Sequence, residues 1–232
     1  MQLTFASYNI HKAVGIDRRR DPERIIAVLR ELHADVIALQ ECDRRFGERE
    51  SVLPKVLLDD TPWRVAPVAK RARSLGWHGN ALLVRKDIEI QHAEPLDLPM
   101  LEPRGAIRAD LVIEGRRLRV IGMHLDLSGL LRRDQIKAIL RHCDRCENAC
   151  PTVLLGDFNQ WGRSTGALRE FTGRWQVLPT GNSFPSRQPL APLDRIVHSH
   201  EWTCQQSGVH HSALAVVASD HLPVRATLAL DA

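Results

Sequence analysis

Several short apolar segments of this chain end in a polar residue that the packing of a strand does not require. A buried strand normally avoids carboxylates and amides, because an unpaired polar group loses its hydration there. If several such strands run the same way, their ends meet at one rim of a sheet, where open α/β sheets place their sites. The residues at these ends are Asn9, Glu41, His124, Asp157, Asn159, Asp194, Asp220 and His221.

Apolar runs alternate with amphipathic stretches along the chain, and their spacing predicts the secondary structure. The helix predicted at residues 21–35 has Asp21 as its N-cap and Pro22 at its first position. Strands dominate and helices follow strands, which favours a β-rich α/β sandwich with helices outside. Further helices are predicted at 128–148 and 164–171, a surface loop at 182–192, a hairpin at 105–127 with its turn at Glu114 and Gly115, and strands at 3–10, 36–41, 64–70, 80–86, 152–159, 193–199, 202–208 and 222–230.

Length, charge and cysteine usage limit the class of protein. The 232 residues, 44% of them hydrophobic, suffice for one large core and predict one domain over residues 1–232. A net charge of +4 suits a phosphate-bearing partner. We expect no signal peptide and no integral membrane segment, because no apolar run is long enough. Five cysteines, an odd number, favour the reducing cytoplasm, and we expect a monomer.

The polar residue types at the strand ends indicate metal-assisted chemistry. Three or four carboxylates with asparagine oxygens suit Mg²⁺ or Mn²⁺, and two histidines can transfer protons or stabilise charge near neutral pH. No serine or cysteine lies in a nucleophile elbow, which favours water as the nucleophile. The chain has no GxxxxGK[ST] loop and no GxGxxG motif. Hydrolysis of a phosphoester by metal and water fits this set best.

Each strand end alone has a simpler explanation, because Asp or Asn after a strand is usually a turn residue or a helix cap. The functional interpretation depends on six such ends occurring together in one chain.

Seven motifs resemble, in order and spacing, those of the endonuclease/exonuclease/phosphatase superfamily, which has the deoxyribonuclease-I-like fold. They are SYNIHK, LQECD, GNALL, MHLDL, LLGDFNQ, LDRI and SDHLPV, and the resemblance extends from about residue 3 to about residue 230. It implies an α/β (α+β) fold, a four-layer α-β-β-α sandwich of two packed mixed β-sheets with helices outside. It also implies metal-dependent hydrolysis of a phosphoester.

The resemblance implies how the metal and the attacking water are held. Glu41 is the expected main metal ligand, helped by Asn9, and Asp220 lies beside the metal. Asp157 is expected to orient or deprotonate the water. Asn159 shares a face of the strand with Asp157, because alternate residues of a strand do, and is expected to hold a phosphate oxygen.

The resemblance also implies the phosphate contacts. His221 is expected to touch the scissile phosphate, with Asp194 as its hydrogen-bond partner, and His124 to donate to a phosphate oxygen. Asn80 is expected to support the active site at the phosphate, and Arg104 to lie near the phosphate. A solvated loop and a surface charge are the simpler explanations for these last two residues.

This chain departs from the family pattern at two positions. His11 stands where base-excision nucleases often carry a carboxylate, which leaves one or two metals open. Arg195 follows the LDRI aspartate, where many members have an aromatic residue or His, and its charge can pair with Asp194 or with a phosphate. The motifs are closer to those of small bacterial members of unassigned substrate, and the chain lacks long insertions that could grip a duplex.

Two other segments carry residues with chemical potential. His142, Cys143, Cys146 and Cys150 could bind a metal, but a helical stripe that packs in the core explains the cysteines better. The segment 70–80, KRARSLGWHGN, could hold a phosphodiester backbone or a lipid headgroup, or could be a solvated loop.

Two functions therefore compete. The first is a divalent-metal phosphodiesterase whose substrate is a nucleic acid, a phospholipid-like diester or a phosphorylated small molecule. The second is a non-catalytic phosphate-binding module that kept the fold. The complete set of polar residues favours the first, and the loops that select a substrate cannot be derived from the sequence.

Overall fold

The computed structural model describes residues 1–44, 47–145, 150–162 and 165–230. Two β-sheets of six strands each pack face to face. The strands are β1 (Gln2–Asn9), β2 (Val36–Gln40), β3 (Trp63–Val65), β4 (Ala81–Arg85), β5 (Glu89–Leu96), β6 (Gly105–Ile113), β7 (Arg116–His124), β8 (Thr152–Asp157), β9 (Trp175–Val177), β10 (Asp194–Ser199), β11 (Trp202–Val209) and β12 (Val224–Leu230). The α-helices are α1 (Pro22–Glu31), α2 (Lys55–Asp59), α3 (Gly129–Arg145) and α4 (Ala213–Ala218), and 3-10 turns form at His11–Ala13 and Gly166–Glu170.

Both sheets are mixed, as the family resemblance implies. The first has the order β11-β12-β1-β2-β4-β3, and its central pair, β1 and β2, is parallel. The second has the order β5-β6-β7-β8-β10-β9, and β7 and β8 are parallel. Since β1, β2, β7 and β8 all lie inside their sheets, their ends carry the predicted polar residues to the middle of a rim.

Apolar side chains form three clusters that separate the layers. The inner faces of the two sheets bury Phe5, Leu82 and Leu155 between them. Helices α1 and α4 cover the outer face of the first sheet, and α3 covers the outer face of the second. The predicted four-layer α-β-β-α sandwich is confirmed.

The predicted start of the first helix is confirmed, whereas α1 ends at Glu31 rather than at residue 35. The Asp21 side chain accepts a hydrogen bond from the Arg24 amide at 3.0 Å, and Pro22 begins α1. In α3, Cys143 packs in the core with Ile136 and Ile139, as the helical stripe predicts. Cys150 is half-buried, and Cys146 lies outside the described residues with the last part of the predicted helix.

The sequence pattern missed several elements that pack little apolar surface. Strand β5 is mostly half-buried or exposed and contains Pro95, and β9 has three residues. The apolar run before Asp220 belongs to helix α4 rather than to a strand, and α2 has five residues. The strand predicted at 64–70 is confined to Trp63–Val65. The short helix predicted at 164–171 is a 3-10 turn at Gly166–Glu170.

None of the helices in the described part of the chain has both the length and the apolar composition needed to cross a bilayer.

Candidate active site

Strand register places the polar residues of the second sheet side by side. Gly105 of β6 is paired with His124 of β7, His124 with Asp157 of β8, and Asp157 with Asp194 of β10. The glycine before Asp157 is required here, because a Cβ on Gly156 would lie 1.9 Å from a backbone oxygen of β7. The predicted polar ends His124, Asp157 and Asp194 therefore form a continuous row across three neighbouring strands, β7, β8 and β10.

Asp157 is the centre of this row. Its Oδ1 accepts from the Asn159 amide at 2.9 Å, and its Oδ2 accepts from Asn9 Nδ2 at 3.0 Å. The same Oδ2 lies 3.4 Å from His124 Nε2 and 3.9 Å from His221 Nε2. Burial raises the pKa of Asp157 to about 6, although the positive charge of His221 opposes this rise. A carboxylate with a pKa near neutrality is suited to take a proton from water.

His221 is held by a chain of two buried side chains. Its Nδ1 donates to Asp194 Oδ2 at 2.7 Å, and Ser183 Oγ donates to the same oxygen at 2.6 Å. Burial alone would lower the pKa of His221, but the charge of Asp194 and its hydrogen bond, followed by Asp157, outweigh burial and raise it to about 10. His221 is therefore an imidazolium at neutral pH. The predicted hydrogen bond between Asp194 and His221 is present.

The sequence predicts a surface loop at 182–192. This prediction is wrong for the part of the loop that packs against Asp194 and Asp220. Ser183 and Ser186 are fully buried. Ser186 N donates to Asp220 O at 2.7 Å, and the Phe184 ring packs against the His221 ring with centroids 4.9 Å apart. The loop forms one wall of the site because its serine hydroxyls satisfy buried polar groups that strand packing leaves unpaired.

His124 and Arg104 form a second corner of the site. An Arg104 guanidinium N–H donates to His124 Nε2 and also to Leu125 O at 3.2 Å. Burial and the neighbouring Arg104 lower the pKa of His124 to about 3, so the ring is neutral and can accept. Arg104 Nε also donates to Glu102 Oε2 at 3.2 Å, so Arg104 is the cation at this corner and is held by three neighbours.

Glu41 lies just beyond β2, with a φ of +56° that turns its side chain out of the strand. Its carboxylate forms an ion pair with Lys12, and their side chains are 22% and 32% exposed, respectively. Burial acts to raise the pKa of Glu41, but His124, protonated in the range in which Glu41 titrates, and Lys12 outweigh burial and lower the pKa to about 2. The carboxylate is ionised, accessible and already opposite a cation.

The turn after β1 connects the other two predicted metal ligands. Asn9 Oδ1 accepts from the His11 amide at 3.1 Å, and His11 Nδ1 lies 3.7 Å from Asp220 Oδ1. The same ring nitrogen is 3.0 Å from Val14 O, which fixes the ring. Asp220 is more than a third exposed, so its carboxylate can take a ligand from solvent.

A hard divalent cation fits the side of the site that contains Glu41 better than it fits the buried group of Asp157, Asp194 and His221. Asp157, Asp194 and His221 have ligand atoms within 4.8 Å of one another, but all three residues are buried. Asp194 Oδ2 already accepts from two donors, and His221 is protonated, which removes it as a ligand. The carboxylate oxygens of Glu41 and Asp220 are reachable from solvent. The ammonium of Lys12 beside Glu41 shows that this position accommodates a positive charge.

Three other predicted residues have structural contacts. Asn159 Nδ2 donates to Leu125 O at 2.8 Å. Asn80 is buried and donates to Trp77 O at 3.2 Å, so it stabilises the turn whose Gly79 O accepts from the residue after Glu41. Arg195 donates to Gly162 O at 2.8 Å.

Sequence reasoning missed Ser183, Lys12 and Ser219. Ser219 Oγ donates to Asn9 O at 2.7 Å and accepts from the His221 amide at 3.2 Å, so it ties the segment before β12 to the end of β1. Lys12 ends the SYNIHK motif and Ser219 begins the SDHLPV motif, so both residues lie within sequence motifs that indicate the site. Ser183 had none, because only the folded loop brings it to Asp194.

Comparison with known proteins identifies the family. The family model described as "Endonuclease/Exonuclease/phosphatase family" matches residues 6–221, a span that includes the candidate site residues from Asn9 to His221. The chain belongs to this family. Its members are usually metal-dependent phosphoesterases.

Individual relatives agree with this family. The "Uncharacterized protein YbhP" of Escherichia coli (strain K12) is 30% identical over 210 residues, which are 81% of each chain. An endonuclease/exonuclease/phosphatase family protein from Bacteroides thetaiotaomicron has a TM-score of 0.78 at 19% identity, over 100% of this chain and 99% of that one. TDP2 of D. rerio, complexed with a single strand DNA product, has a TM-score of 0.74 at 14% identity, over 98% and 99%. These structures share the fold.

Proposed function

We propose that the protein is a divalent-metal-dependent phosphodiesterase that hydrolyses a nucleic acid or a phospholipid-like diester by attack of water. One observation carries the proposal. Asn9 of the first sheet, His221 of the segment that leads into β12 of the same sheet, and His124 of the second sheet approach a single oxygen, Oδ2 of Asp157, within 3.0 to 3.9 Å. A buried carboxylate surrounded in this way has no role in packing, because its desolvation is costly.

In this proposal Asp157 takes the proton of the attacking water. Its pKa of about 6 leaves it mostly ionised at pH 7 and still basic enough to act. Asn9 fixes the carboxylate from the opposite sheet. Asn159 lies beyond the end of β8 with a φ of +50°, so the shared strand face expected from the sequence is wrong. Its backbone amide donates to Asp157 Oδ1, and in this proposal its side chain holds a phosphate oxygen.

His221 stabilises the phosphate in its charged form. The protonated ring is aimed by Asp194 through Nδ1, which leaves Nε2–H to face Asp157 and the substrate. A fixed positive charge acts where negative charge develops on the phosphate in the transition state. Arg104 provides a second cation from the His124 corner.

Glu41 would hold the metal, with Asp220 and Asn9 at its side and Mg²⁺ or Mn²⁺ as the ion. When bound, the ion supplies positive charge to a phosphate oxygen and to the leaving group. Lys12 has to leave Glu41 for this to happen, and its ammonium is then available to the substrate.

The neighbouring structures support a phosphodiester substrate. TDP2 carries a single strand DNA product in its structure, and the basic sequence pI of about 9.0 suits a polyanion. We further propose that residues 1–232 act as one catalytic domain, as a monomer and in the cytoplasm.

The competing function is a non-catalytic phosphate-binding module. It would keep the cations but would not need a carboxylate with a near-neutral pKa beside the phosphate. The retention of Asp157 with all its partners therefore favours catalysis.

A panel assay with Mg²⁺ or Mn²⁺ tests the proposal. The substrates are single-stranded DNA, duplex DNA, RNA, sphingomyelin, phosphatidylglycerol and inositol phosphates. The His221→Ala variant should lose about 10²–10⁴-fold in rate on the best substrate, whereas His200→Ala, an exposed histidine, should not. Hydrolysis of none of these compounds, or near wild-type turnover by His221→Ala, would refute the proposed function.

A further inference from the structure

Positive side chains face the candidate site from the loop that follows β2. A cleft of about 500 Å³, counting the solvent at its mouth, begins at Lys12, Glu41 and His124. Its opposite wall contains Arg44, Arg49 and His78, none of which has a part in the proposed chemistry.

Hydrogen bonds hold this wall in place. Asp43 accepts from the Leu75 amide at 2.8 Å and from Ser74 Oγ at 2.5 Å, which ties the loop after β2 to the loop before β4. Val52 N donates to Cys42 O at 2.9 Å and closes the base of the loop. The arginines are therefore presented by a braced loop rather than by a free one.

Arg49 is oriented without being neutralised. Its guanidinium donates to His78 Nδ1 at 3.2 Å, and none of the carboxylates in the described residues forms an ion pair with it. Burial and the nearby Arg49 lower the pKa of His78, which keeps the ring neutral and able to accept. The Trp77 ring meets the His78 ring edge-on at 4.2 Å and fixes it.

An exposed aromatic ring lies on the other side of Asp157. Trp161 is 64% exposed and packs edge-on against Phe184 at 6.4 Å, and Phe184 in turn packs against His221. A large exposed aromatic residue beside a phosphate site is a stacking platform for a nucleic-acid base.

We propose that Arg49, assisted by Arg44, binds the phosphate next to the scissile one in a single-stranded oligonucleotide, while Trp161 stacks on a base across the site. This inference rests on the proposed function. Arginine suits the role because its planar guanidinium binds phosphate oxygens in pairs. His78 is a positioning residue that acts through Arg49.

The first test measures binding without catalysis. Calorimetry in the presence of a chelator compares inorganic pyrophosphate with orthophosphate for the wild type, Arg49→Gln and Arg71→Gln. Arg71 is an exposed arginine that does not line this cleft and whose guanidinium donates to Gly47 O at 3.2 Å, and it serves as the matched control. We expect the wild type and Arg71→Gln to bind pyrophosphate about tenfold or more tightly than orthophosphate, because one charge-assisted hydrogen bond contributes about this much affinity. Arg49→Gln should bind both ions with equal affinity. Equal losses in both variants would refute the subsite.

The second test measures hydrolysis with Mn²⁺. The dinucleotide TpT is compared with pTpT and TpTp, which add a phosphate at either end. For the wild type we expect the kcat/KM of either pTpT or TpTp to exceed that of TpT by about tenfold. Arg49→Gln should bring this ratio of kcat/KM values near one. His78→Phe should lower the ratio by raising the KM of the substrate with the added phosphate. Trp161→Ala should lower kcat/KM for all three dinucleotides, and Trp161→Phe should restore it.

The outcomes separate the two proposals. If TpT is hydrolysed and the ratio is the same in Arg49→Gln, the subsite is wrong and the phosphodiesterase stands. If no phosphoester is hydrolysed but pyrophosphate binding depends on Arg49, the anion site stands and the catalytic proposal fails. Should Arg49→Gln unfold in a thermal scan, Arg44→Gln is measured in its place, and an unchanged pyrophosphate preference in that variant refutes the proposal.

Discussion

Replacing Asp194 by Asn should reverse the protonation of His221. In the wild type the pKa of His221 is raised from 6.5 to about 10, and Asp194 is the main cause that overcomes burial. At 1.36 kcal/mol per pKa unit, the difference corresponds to about 5 kcal/mol of interaction that favours the imidazolium. Without the carboxylate, burial dominates, and we expect the pKa to fall below 6.5.

The sign of the stability change follows from this shift. A histidine whose pKa is higher in the folded state stabilises the fold fully below about pH 6.5, and this stabilisation is lost as the pH rises through about 10. The metal-free wild type should therefore lose stability between pH 6.5 and 10 at up to about 1.4 kcal/mol per pH unit. Asp194→Asn should show no such slope from His221.

Two measurements check the prediction. NMR titration of the histidine ring protons, with the His221 signal assigned from its absence in His221→Gln, gives the pKa in both proteins. Urea unfolding at several pH values gives the slope, and Asp134→Asn, an exposed carboxylate on α3, is the matched control. A His221 pKa that stays near 10 in Asp194→Asn, or near 6.5 in the wild type, would refute the reasoning.

Three further predictions concern the same site. Glu41→Gln should keep the fold and lose Mn²⁺ binding in a calorimetric titration, and unchanged affinity would contradict its role as a ligand. Lys12→Met should bind Mn²⁺ about fivefold more tightly, because a partly exposed ion pair worth about 1 kcal/mol no longer competes; weaker binding would speak against this competition. Ser183→Ala should lower the free energy of unfolding by about 2 kcal/mol in urea, because Asp194 loses a buried hydrogen bond, and a loss below 0.5 kcal/mol would count against it.

The sequence indicates the row of His124, Asp157 and Asp194 because the position of each residue at an end of an apolar run is a local feature of the sequence. His124, Asp157 and Asp194 end or begin apolar runs, and the sheet then pairs them directly. The apolar pattern also predicts most strands. It fails for β5 and β9, whose side chains are largely exposed, because a strand that buries little leaves no alternation of apolar residues.

The loops could not be predicted in the same way. Ser183 reaches Asp194 only because the 182–192 loop folds inward, and Arg49 meets His78 across a gap of 29 residues. Lys12 belongs to the SYNIHK motif, but only the folded structure brings its ammonium to the carboxylate of Glu41. Contacts of this kind depend on the path of the backbone between elements, which a sequence pattern does not specify.

The pairing of β1 with β12 has a consequence for how the protein is made. His221 is added to the growing chain 212 positions after Asn9, yet both approach one oxygen of Asp157. A growing chain therefore cannot assemble the site before His221 has emerged. Synthesis itself delays any hydrolytic activity until the fold can close around Asp157, and a chain released early would carry Asp157 without its imidazolium.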